Sequence, residues 1–188
     1  MLTVFELFKV ESLPDDYQRL WYKEEEQPLF DLIRSGESVA DRWKPLLLKI
    51  WKKGKTLPSA DFPSFELYTL IANERGWQAL RPLIEKAVEA LPILHPSGKP
   101  YYVLNVTRII DCLFLDKCET NRLPNDPDAY FSSIYTYAFD ENTVRDEHLF
   151  RCPQMKELEI YASSELKNSV ERNGLTGLRF TKIFPNSE

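Results

Sequence analysis

The chain has 188 residues, 43% hydrophobic and 28% charged, which supplies a real core for one domain or for two closely joined lobes. Its net charge of −5 and the lack of any 18-residue apolar run disfavour nucleic-acid binding and a membrane span. The opening MLTVFELFKVES has no basic start of a secretory leader, so a cytoplasmic protein is expected.

In chain order, LTVFELFKV alternates loosely, is rich in Val and Phe, and predicts a first strand. Residues 14–38 read ambiguously. Tyr17, Leu20 and Trp21 fit helical spacing, and Pro28 then breaks the pattern. WKPLLLKIWKKGK predicts a strand ending in a basic turn at Lys52–Lys55, whose lysines read as an edge guard rather than a phosphate site. LPSADFPSF is a proline-punctuated connector. It divides an N-terminal strand-rich lobe, residues 1–57, from an α+β lobe, residues 58–188, the two expected to pack as one compact unit.

FELYTLIA predicts another strand. Asn73 then caps a helix in which Trp77, Leu80 and Ile84 recur at three- and four-residue spacing, with Pro82 expected to bend or end it. VEALPIL and KPYYVLNVTRII predict buried strands joined by the turn HPSG. DCLFLDKCETNRLPNDPDAYF reads as a long connection with one helical turn. SSIYTYAF, EHLFRC and LEIYAS read as strands. At the C-terminus, Ser163 or Ser164 caps a helix whose Leu166 and Val170 face the core. Gly174 and Gly177, two of the chain's six glycines, end that helix and start a terminal strand. The expected class is α+β: mainly antiparallel sheet, a few short helices, and a C-terminal helix–Gly–strand unit.

Chemistry-bearing motifs are sparse. Cys112, Cys118 and Cys152 form no CxxC pair and read as reduced, small buried hydrophobes. His95 and His148 stand too far apart for a short-spaced metal motif. In NDPDAY, residues 125–130, alternate oxygens recur. Pro127 interrupts them, and an EF-hand's glycine and final glutamate are missing. No phosphate-cradling glycine loop and no GxSxG elbow occurs. His148, after Asp146 and Glu147, reads as a surface or strand-edge histidine rather than a general base. No catalytic residue, metal or cofactor is therefore expected.

Charge is unevenly spread. Residues 1–60 hold ten basic and ten acidic side chains, whereas residues 125–147 hold six carboxylates against Arg145 alone. That segment either keeps the chain soluble or attracts a basic protein partner.

Several blocks in the C-terminal part occur in a familiar order. They are YYVLNVTRIIDCL with Asn105 and Asp111, YAFDE with Phe139 and Asp140, and SSELKNSVERNGLTGLRF with Gly174, Leu175, Gly177 and Phe180. Over roughly residues 58–184 the chain resembles immunity-protein family eleven of bacterial polymorphic toxin systems, formerly a domain of unknown function. In that family a second acidic residue and a serine follow the Asp111 position; here Asp116 comes later and Cys118 stands near the serine. The resemblance implies a non-enzymatic cytoplasmic antidote that binds a cognate toxin domain and covers or distorts its active site. Candidate contacts are Asp126, Asp128, Tyr130, Phe131, Asp140 and Glu141. A hydrolase using Asp111, Asp116 and His148, or a non-catalytic adaptor in a secretion or defence gene cluster, is the alternative.

Overall fold

The computed structural model describes residues 5–13, 16–51, 57–66, 68–121 and 132–185. Its elements in chain order are β1 (Leu7–Ser12), β2 (Arg19–Trp21), α1 (Gln27–Ser35), β3 (Lys49–Trp51), β4 (Leu70–Asn73), α2 (Glu74–Ile84), β5 (Val88–Leu94) and β6 (Pro100–Val106). There follow β7 (Glu119–Thr120), β8 (Ile134–Thr136), α3 (Glu141–Val144), β9 (Leu149–Phe150), β10 (Tyr161–Ser163), α4 (Ser164–Arg172) and β11 (Leu178–Phe184). Single 3-10 turns occupy Glu24–Glu26, Ala40–Arg42 and Leu115–Lys117. All strand pairs in the sheets are antiparallel, and the class is α+β as expected. Among the described residues no helix is long and apolar enough to cross a membrane.

The sheet β4–β6–β5 lies at the centre. Its alternating side chains feed two different cores, which explains why the strands read as nearly continuous apolar runs. Leu70, Ala72, Leu104 and Val106 pack with Trp77, Leu80 and Ile84 of α2 and Leu166 and Val170 of α4. Ile71, Leu91, Ile93, Tyr101 and Val103 pack on the other face with Leu20, Tyr22, Phe30, Ile33 and Leu48. A second sheet, in the order β11–β1–β10–β9, places the N-terminal strand between two C-terminal ones. A third core holds Leu7, Cys112, Ile134, Tyr137, Phe139, Cys152 and Tyr161.

Three local readings change. Leu20 and Trp21 lie in β2, paired with β3, and not in a helix. Pro28 opens α1 from its first turn, where the missing N–H costs nothing, instead of breaking a helix. The strand predicted after Trp43 is confined to Lys49–Trp51, and Lys52–Lys55 lie outside the described residues. α2 does run through the exposed Pro82, but for only two residues, ending at Ile84. Asn73 caps it as predicted, its Oδ1 accepting the Gly76 amide at 2.8 Å.

The proline-rich connector is itself core: Phe62 and Phe65 are buried, in separate clusters. Asp61 is its anchor. Its carboxylate accepts hydrogen bonds from Asn73 Nδ2 (3.1 Å), Arg75 Nη1 (2.6 Å) and the Thr176 amide (3.0 Å). Burial alone would raise this carboxyl's pKa. The bonds from Asn73, Thr176 and Arg75, with the Arg75 charge, bring it below the ordinary value. Gly177 lies against the same segment. A Cβ there would stand 2.0 Å from the Phe62 carbonyl oxygen, and φ is +100°. Glycine at 177 thus permits a close approach of the terminal segment to the connector.

Candidate partner-binding surface

Of the six predicted contacts, Asp126, Asp128, Tyr130 and Phe131 lie outside the described residues. Asp140 is partly committed to local structure. It caps α3, accepting the Asn142 amide at 3.1 Å and the Thr143 hydroxyl at 2.8 Å, while its own amide donates to Cys112 O at 2.8 Å. Glu141 is exposed, with Arg145 at 3.9 Å. Asp146 is exposed, and Glu147 accepts from Arg108 Nε at 3.0 Å. Around α3 the surface therefore remains acidic, with Arg108 and Arg145 as its cations.

Other titratable groups are occupied by the fold. His148 Nδ1 meets the Ser163 hydroxyl at 3.0 Å, and that hydroxyl caps α4 by accepting the Leu166 amide at 3.2 Å. Asp111 Oδ1 accepts from Gln154 Nε2 at 2.8 Å. The imidazole and this carboxylate thus take different partners. Glu159 is buried and receives the Tyr137 hydroxyl (2.8 Å), the Tyr161 hydroxyl (2.7 Å) and Lys9 Nζ (3.3 Å). Burial and then the Glu159 charge push both phenols well above their usual pKa. Cys112 and Cys152 are buried thiols with sulfurs 3.2 Å apart, and Cys118 is half-buried. Among the described residues, no three His, Cys, Asp or Glu side chains are grouped to hold a metal ion.

Arg151 was legible only as a strand residue, yet it is completely buried. It has backbone carbonyls as hydrogen-bond partners: Nε donates to Val106 O at 3.3 Å, Nη2 to Tyr68 O at 2.7 Å, and Nη1 to Lys156 O. Burial pushes its pKa down to about 10. Tyr68, whose carbonyl it holds, has a left-handed backbone with φ of +66°. This guanidinium ties the end of β6 to the approach to β4 and to the turn before β10.

The surface of the described residues includes two grooves. One, about 320 Å³, is lined by Lys9, Ile134–Tyr137 and Thr181–Ile183. The other, about 340 Å³, is lined by Arg19, Trp21 and Arg34, by Glu66 and Tyr68, and by Glu157 and Leu158. Beside the second groove the β2–β3 ribbon turns Trp21 toward Trp51, ring centroids 5.4 Å apart, with the Arg19 guanidinium 5.3 Å over Trp21. The alternation of Leu47, Lys49 and Trp51 was the sequence signal for this surface, and helical spacing around Leu20 and Trp21 obscured it.

The model of the Imm11 immunity protein family matches residues 95–184. The matched segment spans just under half of the chain. The match bears out the family read from the ordered sequence blocks, although it begins at His95 rather than near residue 58. No curated protein matches the chain. The Imm11 region takes in β6 through β11 and the whole acidic segment 125–147, whereas β2, β3 and α1 precede it.

Proposed function

We propose that this chain is a cytoplasmic immunity protein that binds a cognate toxin domain and neutralises it by covering or distorting the active site, with no catalysis of its own. The Imm11 match over residues 95–184 is the observation that carries this reading. An interface of about 800 Å² per partner is sufficient for such a complex. We place one part of it on segment 125–147, with Asp126, Asp128, Asp140 and Glu141 as its charges and Tyr130 and Phe131 as its aromatic anchors. A cationic toxin surface would be steered to these carboxylates.

The test is co-expression with the product of the adjacent gene, scored for rescue of growth and for co-purification. The native chain restores growth. A variant carrying Asp126→Lys, Asp128→Lys, Asp140→Asn and Glu141→Lys protects poorly while melting near the native temperature. Asparagine is chosen at position 140 because it keeps the α3 cap, whereas lysine there would cost about 1 kcal/mol of stability. Full protection by the variant removes the acidic segment from the interface. No rescue or co-purification by the native chain refutes neutralisation itself.

A further inference from the structure

Strand register gathers exposed apolar surface outside the Imm11 region. Residues 47–51 run extended with Leu48 buried and Leu47, Lys49 and Trp51 turned outward. Lys49 pairs with Trp21 and Trp51 with Arg19, while Leu47 bridges to Leu94 of β5. These outward side chains form one stripe, about 13 Å long on β3 and its lead-in. Leu94 (54% exposed), Leu47 (52%) and Trp51 (50%) are three of six large hydrophobic side chains exposed among the described residues. Single exposed apolar residues are ordinary; contiguous ones mark contact sites.

The stripe's composition limits what fits it. Its charged members, Arg19 and Lys49, are both cations. Tryptophan and arginine dominate the energetic centres of protein interfaces. The Leu47–Leu94 end offers no ring for a base to stack on, and the chain's charge of −5 opposes phosphate. A second copy apposed about a two-fold axis would set these cations against one another. The 340 Å³ groove beside Trp21 is walled on its far side by Glu157 and Leu158 of the Imm11 region, so the stripe runs on toward that region's surface.

We propose that the Leu94–Leu47–Trp51–Trp21 stripe, with Arg19 and Lys49, is a second contact for the toxin domain, which presents an apolar ridge edged by carboxylates there. This rests on the neutralisation reading but is separable from it. It gives the complex two contacts of opposite charge, one inside the Imm11 region and one contributed by the preceding residues.

The experiment is calorimetric titration of the full chain with the purified toxin domain, using catalytically silenced toxin. Leu47→Ser with Trp51→Ser raises Kd at least about tenfold at unchanged melting temperature. Lys49→Glu, a fully surface change that keeps the proposal testable if the serine variant folds poorly, slows association and weakens its salt dependence. Phe114→Ser, exposed outside the stripe, binds as the native chain does. Native Kd in both stripe variants overturns the proposal while leaving neutralisation standing. Absence of toxin binding by the native chain overturns both. Concentration-dependent dimerisation abolished by Leu47→Ser with Trp51→Ser, or oligonucleotide binding lost in that variant, would assign the stripe to another occupant.

Discussion

In residues 163–184 the distinctive side chains shape the fold: Ser163 caps, Leu166 and Val170 enter the core, and Gly177 lies against Phe62. In the β2–β3 ribbon the largest side chains do the opposite. Trp51 stands half in solvent, and Trp21 packs between it and the buried Tyr22 at the edge of a core. A glycine that the fold needs and a tryptophan that it leaves outside are equally conspicuous in a sequence. Burial distinguishes them: it assigns the first to stability and leaves the second free for the contact proposed above.

The contrast is sharpest at the glycines. Gly177→Ala places its new carbon on the Phe62 carbonyl at an unfavourable φ, so a loss of about 3 kcal/mol or more is expected in denaturant unfolding. Arg151→Met comes next. It leaves the carbonyls of Val106, Tyr68 and Lys156 without this donor, for a loss of about 3 kcal/mol by the same measurement. Gly174→Ala meets no atom within 4 Å, so only its left-handed backbone resists, and the loss is about 1 kcal/mol. A near-equal cost at positions 174 and 177 would show that the Phe62 contact is unimportant.

Acid tests the fold more gently, at two groups outside both regions. Burial holds the His95 pKa below its usual 6.5, so the unfolded chain takes up a proton first, and stability falls as pH drops through that value. Asp61 is held below 3.8 in the fold, so its contribution is present above 3.8 and is lost on further acidification. Melting temperature against pH should show both declines, and His95→Gln should remove the upper one. The smallest effect belongs to the ribbon: Trp51→Ser should change unfolding free energy by under about 0.5 kcal/mol. A larger loss would make Trp51 a packing residue and undercut the contrast.

Much of the fold was legible because its signals are local. Asn73 and Ser163 lie at the positions where a side-chain oxygen reaches an amide three residues on, and both cap as read. The apolar runs of VEALPIL and KPYYVLNV named the central hairpin. Pro28 was misread because a proline that breaks a helix and one that begins it have the same local chemistry. Which it does depends on whether the preceding strand ends before it, and Trp21 pairs with Lys49, far along the chain. Asp61, Glu159 and Arg151 were invisible as partners for a related reason: their bonds reach across 115, 150 and 83 residues to Thr176, Lys9 and Tyr68.

The amino-acid sequence alone determined the α+β class, the two helix caps, the glycine turn and the family of the C-terminal half, since each depends on residues close together or on blocks in fixed order. Only the tertiary structure decided that the connector is core, that Arg151 is buried on carbonyls, and that Leu47, Leu94, Trp51 and Trp21 share one surface. Burial and juxtaposition are properties of distant strands brought into register, and no short window of the chain contains them.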